Sequence, residues 1–242
     1  MQQGRAEIID QLRRDVLVQR FSTPRAKLLS NVRFEPFSSA FHANQFPLGA
    51  IHEFICSSDE TFTASAGFVS GILSSLMQNN GVSIWISSTK KMFPPAFIQY
   101  GIRPDKIVFI NHNKPGDILW IMEEALRCKG LAAVICDTRE LSFKQSRRLQ
   151  LATEQSQVTG FVLRNKPRMI NTTACATRWL ISPAFSRKFQ NIPGIGFPCW
   201  DVELQKVKNG KPQSWKISWS AGHFNHVQEP APAITIHQKK AG

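Results

Sequence analysis

A chain of 242 residues with 42% apolar content can fill one α/β domain with a sizeable core plus small appendages. Lys and Arg total 30 against 17 acidic residues, a net charge of +13, which brings nucleic acid forward among the partner classes. No stretch of 18 apolar residues occurs, and the opening MQQGRAEIIDQLRRDVL mixes acids with bases, so neither export nor a membrane span is expected and the expected location is the cytoplasm.

Residues 5–20 form a short amphipathic segment. Ile8, Ile9, Leu12 and Val16 are apolar, Arg13, Arg14 and Arg20 lie outside, and Ser22-Thr23-Pro24 closes it. This N-terminal helix, taken as 1–25, either packs on its own domain or docks on a partner through Ile8, Leu12 and Val16. The core follows over 26–190. Its runs AIHEFIC (50–56), VSIWIS (82–87), KIVFIN (106–111), LAAVICD (131–137), TGFVLRN (159–165) and TRWLIS (177–182) suit strands buried on both faces.

Helix patterns separate these strands. From Thr61 to Asn79, Phe62, Ala66, Val69, Leu73, Leu76 and Met77 repeat at three and four. Asp117 is placed to cap a second helix stopping near Gly130, and Ser142 with Gln145 makes a capping box for a third, running to about Gln155. Strand-helix alternation predicts right-handed crossovers and a mostly parallel sheet. Within the C-terminal hairpin unit, 191–227, WDVELQKVKNGKPQSWKISWSA (200–221) alternates polar and apolar residues about Asn209-Gly210, a hairpin signal. Trp200, Trp215 and Trp219 on it are candidate partner contacts. The last residues, 228–242, read as a loose tail. The five cysteines (Cys56, Cys128, Cys136, Cys175, Cys199) are odd in number, widely spaced and mostly in apolar runs, so they read as reduced, small hydrophobes. His223 and His226 have metal-like spacing but no carboxylate or cysteine cluster beside them, so no metal or other cofactor is expected.

The turn after the first strand invites comparison with a phosphate loop, G-x-x-x-x-G-K-[ST]. The matching window is Cys56-Ser57-Ser58-Asp59-Glu60-Thr61-Phe62-Thr63, in which only Thr63 keeps the required type. Both glycine positions carry a Cβ, the lysine position is Phe62, and Asp59 with Glu60 sets two carboxylates where an anion would sit. Ser57 with Glu60 also fits a capping box that satisfies the helix start without a ligand.

On this turn and its surroundings the chain resembles the RecA-type ATPase core. Pro47-Leu48-Gly49-Ala50-Ile51-His52-Glu53 is similar to the strand entry before that family's phosphate loop, and the likeness covers about residues 45–185. The resemblance implies an α/β, RecA-like, mostly parallel sheet flanked by helices, with the C-terminal β-hairpin added to it. It also implies that Asp137 stands at the Walker B aspartate, that the catalytic glutamate falls on Thr89, and that the γ-phosphate-sensing glutamine falls near Arg164. With lysine, carboxylate and sensor all lost, Cys56, Thr61, Phe62, Thr63, Thr89 and Asp137 read as vestigial positions of a pseudo-ATPase.

Within these relatives the chain looks like the ImuA family of SOS-mutagenesis accessory proteins. The likeness rests on Phe46-Pro47-Leu48-Gly49-Ala50-Ile51-His52-Glu53, ILWIMEEALRC (118–128), SRRLQLATEQSQVTGFVLR (146–164), ATRWLIS (176–182) and GFPCWDVELQKVKNGKPQSWKISW (196–219). This family implies a non-catalytic adaptor in error-prone translesion synthesis. Its implied partners are an ImuB-type inactive Y-family polymerase homologue, an error-prone replicative-type DNA polymerase and RecA.

Charge gives an independent reason to consider single-stranded DNA. From Arg139 to Lys188 ten basic residues face two acids, +8 of the total +13. Lys144, Arg147 and Arg148 share one helix, and Arg164, Lys166 and Arg168 follow a strand end, where RecA-type folds keep a DNA-facing loop. These six are the DNA-binding candidates; a solvated basic surface or a face for an acidic protein is the equal alternative. Two further classes stay open: a SulA-like cell-division inhibitor, which leaves the 196–219 hairpin unexplained, and a DNA-dependent ATPase, which requires the missing lysine.

Overall fold

The structure, a computed structural model, describes residues 34–89, 92–187 and 196–227. The expected N-terminal helix, the basic Lys188 and the expected tail lie outside them. One nine-stranded sheet runs through the described residues in the order β3-β2-β4-β5-β1-β6-β7-β8-β9. The first six strands are β1 Ile51–Cys56, β2 Ser83–Ser87, β3 Ile107–Asn111, β4 Ala133–Thr138, β5 Thr159–Asn165 and β6 Thr177–Arg187, all parallel to one another. β7 Phe197–Val207, β8 Gln213–Ser220 and β9 His223–His226 continue the sheet antiparallel from β6. The RecA-like, mostly parallel α/β reading therefore holds, with one unforeseen strand: β9 is too short, and too polar at His223, Asn225 and His226, to stand out in the sequence.

Helices cover both faces. Helix α1, Asp59–Leu76, lies on one face, where Phe62, Phe68, Val69, Ile72 and Leu73 join a core with Phe54, Trp85, Trp179, Trp200, Trp219 and Phe224. Helices α2, Pro115–Leu126, and α3, Phe143–Ser156, lie on the other, where Ile118, Ile121, Met122, Leu149 and Ala152 pack on Ile51, Val134 and Val162. β1 and β5 are buried along almost their whole length because both faces are covered, which is why they read as unbroken apolar runs.

The helix starts need two corrections. The α1 capping box is Ser58 with Thr61, not Ser57 with Glu60: Ser58 has the extended backbone a cap requires, and its hydroxyl accepts from the Thr61 N–H. Helix α2 starts after Lys114, with Pro115 as its first residue, and Asp117 sits inside the first turn bonded to His112 Nε2 at 3.0 Å. The Ser142–Gln145 box forms as expected. The Asn209-Gly210 signal marks a hairpin, but its loop spans 208–212. Gly210 bridges Phe41, and a Cβ there would lie 2.3 Å from the Ala40 carbonyl oxygen, so the backbone of 34–46 is what reshapes the turn.

Candidate functional site

The end of β1 and the start of α1 meet with two residues between them, Ser57 and Ser58. Of the eight-residue window, Asp59 through Thr63 are already helical, so no loop remains to curl N–H groups around a phosphate. The helix start is closed by its own groups. Thr61 N–H donates to Ser58 Oγ at 3.3 Å, Phe62 N–H donates to the Ser58 carbonyl at 3.0 Å, and Ser58 N–H donates to Thr61 Oγ1 at 2.9 Å. Phe62 is 5% exposed and belongs to the core. Cys56 is buried against Ser65, and burial pushes its thiol up to about 11. Thr63 returns its hydroxyl to the Asp59 carbonyl at 2.9 Å. A lysine does reach this turn, but from the far end of β5: Lys166 Nζ meets Asp59 Oδ2 at 2.9 Å. Glu60 is held below the usual carboxylate range, first by its hydrogen bond with Ser58.

Asp137, near the end of β4, is 4% exposed and accepts three hydrogen bonds from the exit of β2. They come from Ser87 Oγ at 2.6 Å, Ser88 N–H at 2.8 Å and Ser88 Oγ at 3.1 Å. Its carboxylate acts as a latch between two strand ends. Thr89, exposed at the next position, is tied into the same bend by Ser87, to which its N–H donates at 3.1 Å.

The opposite face holds a charge network that the sequence reading missed. Glu53, in the middle of β1, has no exposed surface and meets three donors: Arg178 at 2.9 Å, Arg164 at 3.5 Å and the hydroxyl of Thr173. Arg164 is equally buried and reaches on to the Met169 carbonyl at 2.7 Å and Asn171 Oδ1 at 3.1 Å. Arg178 also donates to the Asn171 carbonyl at 2.6 Å. Together these bonds pin the connection from β5 to β6 onto the sheet. The signal was available: Glu53, Arg164 and Arg178 each interrupt a strand otherwise fit for complete burial, and charges there require partners.

This corrects the DNA-binding candidates. Arg164 cannot touch a phosphate backbone, because its guanidinium is enclosed and engaged. Lys166 pairs with Asp59 beside the turn. On α3, Arg148 meets Glu123 at 2.7 Å and Arg147 lies 3.7 Å from Glu154. Lys144 and Arg168 are exposed, and the Arg168 backbone N–H donates to Glu140 Oε1 at 2.9 Å, which sets the loop after β5 beside the start of α3.

The partner-contact candidates divide as well. Ile8, Leu12 and Val16 lie outside the described residues. Trp200 and Trp219 are each 4% exposed, packed under Phe68, Tyr100 and Phe224, so they are core residues and not surface anchors. Trp215 is half-buried against Phe37 and Trp179. Their alternation was read correctly as a strand pattern; what the sequence withheld was that 34–46 and α1 cover that face.

Among the described residues no group of His, Cys, Asp and Glu could hold a metal ion, no disulfide forms, and no helix is long and apolar enough to cross a membrane. Cys136 and Cys175 are also buried, and burial raises both thiols, Cys175 to about 12.

Comparison with known proteins places this geometry. No family model matches the chain. In fold it is similar to the RadB recombinase, with a TM-score of 0.52 at 10% identity, covering 76% of this chain and 93% of that one. In sequence it is 29% identical over 142 residues to the cell division inhibitor SulA of Pectobacterium carotovorum, covering 55% of this chain and 81% of that protein. It is 30% identical over 214 residues to the protein named ImuA in Caulobacter vibrioides, covering 83% of this chain and 88% of that protein. Two of the stretches that carry the resemblance lie side by side in the sheet: His52 of FPLGAIHE is opposite Thr177, and Glu53 opposite Arg178, of ATRWLIS. On the extent and level of that identity, the chain belongs to the ImuA family.

Proposed function

We propose that the chain is a non-catalytic accessory factor of SOS-induced, error-prone translesion synthesis. In this reading it is a RecA-like scaffold that holds an ImuB-type polymerase homologue near an error-prone replicative-type polymerase and RecA. Membership of the ImuA family supports the pathway. The observation that carries the pseudo-ATPase part is that α1 begins at Asp59. With the helix starting there, only Ser57 and Ser58 remain outside regular structure between the two glycine positions, too few to wrap a phosphate, and Phe62 is fixed in the core. Phosphoryl transfer asks a protein mainly for positioning and charge stabilisation, and here the lysine, the catalytic carboxylate and the loop are all wanting.

The test has two arms. Calorimetric titration of the full chain with ATP and magnesium, with and without single-stranded DNA, should give no saturable binding; a micromolar Kd would end the pseudo-ATPase reading. Co-purification of the full chain with its ImuB-type partner should yield a stable complex, and failure to do so would remove the adaptor reading. Deleting 196–242 is not a usable control, since it takes Trp200, Val202, Leu204, Ile217 and Trp219 out of the core. The SulA likeness favours a second reading, a division inhibitor, which predicts filamentous cells on overexpression.

A further inference from the structure

Four large apolar side chains stand in solvent around the start of α3 and the loop after β5. Phe143 is 56% exposed, Leu151 43%, Met169 73% and Ile170 56%. Phe143, Arg147 and Leu151 follow one another at intervals of four, so they form a single stripe about 12 Å long on the outward side of α3. The loop is laid along the first turn of that helix by three hydrogen bonds. Arg168 N–H donates to Glu140 at 2.9 Å, Asn171 Nδ2 to the Leu141 carbonyl at 2.9 Å, and Ala174 N–H to Ser146 Oγ at 2.9 Å. Met169 and Ile170 sit between these anchor points, and the Met169 carbonyl is itself held from below by Arg164. The apolar residues are therefore presented by a fixed backbone, with the exposed Lys144 and Arg168 beside them.

We propose that this face is a docking surface for an acidic amphipathic helix of a partner protein. An apolar stripe flanked by Lys144 and Arg168, with the nearby Glu140 and Glu154 already bonded to the Arg168 N–H and to Gln150, is the complement of a helix whose apolar positions recur at three and four and whose flanks carry acids. Nucleic acid fits less well. Three of the four apolar groups are aliphatic and offer no ring for bases to stack on. Of the six basic candidates one is buried and three already have carboxylate partners, which leaves Lys144 and Arg168 to neutralise phosphates. A second copy of the chain fits less well too, since it would bring like-charged faces together in a molecule of net charge +13. The proposal stands apart from the identity of the mutagenic complex.

The experiment is a display selection of random 16-residue peptides on the full chain, read against the full chain carrying Met169→Asp with Ile170→Asp. Both side chains are exposed, so this variant keeps the fold, which its circular dichroism checks. The expected result is a set of enriched peptides with apolar residues at intervals of three and four and acids beside them, losing at least tenfold in affinity on the variant. Lys144→Glu with Arg168→Glu should weaken them similarly and prefer versions in which the acids are changed to lysine. Enrichment without acids, equal binding to the variant, or no enrichment overturns the proposal. So does a 20-nucleotide single strand whose binding is lost with Met169 and Ile170, or self-association lost by the same change in sedimentation. None of these outcomes bears on nucleotide binding or on co-purification with an ImuB-type partner.

Discussion

Glu53 and Arg164 meet at 3.5 Å between adjacent strands with no exposed surface on either side chain. A carboxylate and a guanidinium so enclosed stabilise the fold only while both remain. Removing Glu53 leaves Arg164 charged in a medium that cannot solvate it, at a cost of about 3–5 kcal/mol, whereas removing Arg164 leaves Glu53 its bonds to Arg178 and Thr173.

Arg164→Met is accordingly expected to lower stability, though by less than Glu53→Leu does, read from the urea midpoint. It should also release the 166–176 connection, which loses the donor to Met169 and Asn171. Limited proteolysis should then cut within that segment before global unfolding. Adding Arg164→Met to Glu53→Leu should recover part of the loss caused by Glu53→Leu alone. If Arg164→Met leaves the urea midpoint in place, the network is not what holds the connection.

Rebuilding the phosphate loop by its letters should fail. Cys56→Gly, Thr61→Gly and Phe62→Lys together restore the motif, yet Phe62 lies in the core and Thr61 closes the helix start. The triple variant should lose about 3 kcal/mol or more from the missing ring alone, since large-to-small changes of a buried Phe fall in that range. It should also gain no ATP binding by calorimetry. Tight ATP binding by the variant would show that the two-residue turn can reopen.

Single-stranded DNA binding, where it occurs, should respond weakly to α3. Arg147→Ala with Arg148→Ala removes two cations, which for free side chains would flatten the salt slope by about two units. Because Arg148 already meets Glu123 and Arg147 lies near Glu154, the change expected in this structure is less than one unit in a fluorescence anisotropy series. Lys144→Ala with Arg168→Ala should remove more. The reverse order would return Arg147 and Arg148 to a phosphate-binding role.

The sheet was legible because each of its first six strands is an apolar run of the right length bounded by turn residues, and because the α1 and α3 stripes keep a helical period. The filled turn was legible for a different reason. Missing glycines, a missing lysine and two acids are local facts about eight consecutive residues. What failed was, apart from one local slip, long-range. The capping box slipped by one residue, since Ser57 and Ser58 both have a plausible partner three positions on, and only the backbone at Ser58 decides between them. Arg164 resembles a surface cation in the sequence because its acid partner, Glu53, is 111 residues away. Trp200 and Trp219 resemble surface anchors in the sequence because amphipathic alternation marks two faces without saying which is covered. Met169, Ile170 and Phe143 gave no signal at all. Isolated apolar residues in polar surroundings are ordinary, and they gain meaning only when hydrogen bonds bring the loop beside the helix.

His52 offers a test of the core by pH. Its ring is stacked between Phe46 at 4.5 Å and Phe161 at 5.4 Å, with Nε2 donating to the Pro47 carbonyl at 3.0 Å and Nδ1 accepting from Thr177 Oγ1 at 2.7 Å. Trp179 Nε1 donates in turn to the same Thr177 oxygen at 2.7 Å, which frees that hydroxyl's proton for His52. The site therefore fits the neutral ring, and burial lowers the pKa from 6.5 to about 3. The unfolded chain takes up a proton below 6.5 that the folded chain refuses until about 3, so the stability His52 contributes is complete above pH 6.5 and is lost as pH falls between those values. The expected slope is up to about 1.4 kcal/mol per pH unit. Urea midpoints at pH 7.5 and 5.5 should fall more steeply for the unaltered protein than for His52→Gln, which has no proton to gain in this range. Parallel pH dependence in the two proteins would mean that the ring is protonated in the folded state and that its bonds to Pro47 and Thr177 are not the ones described.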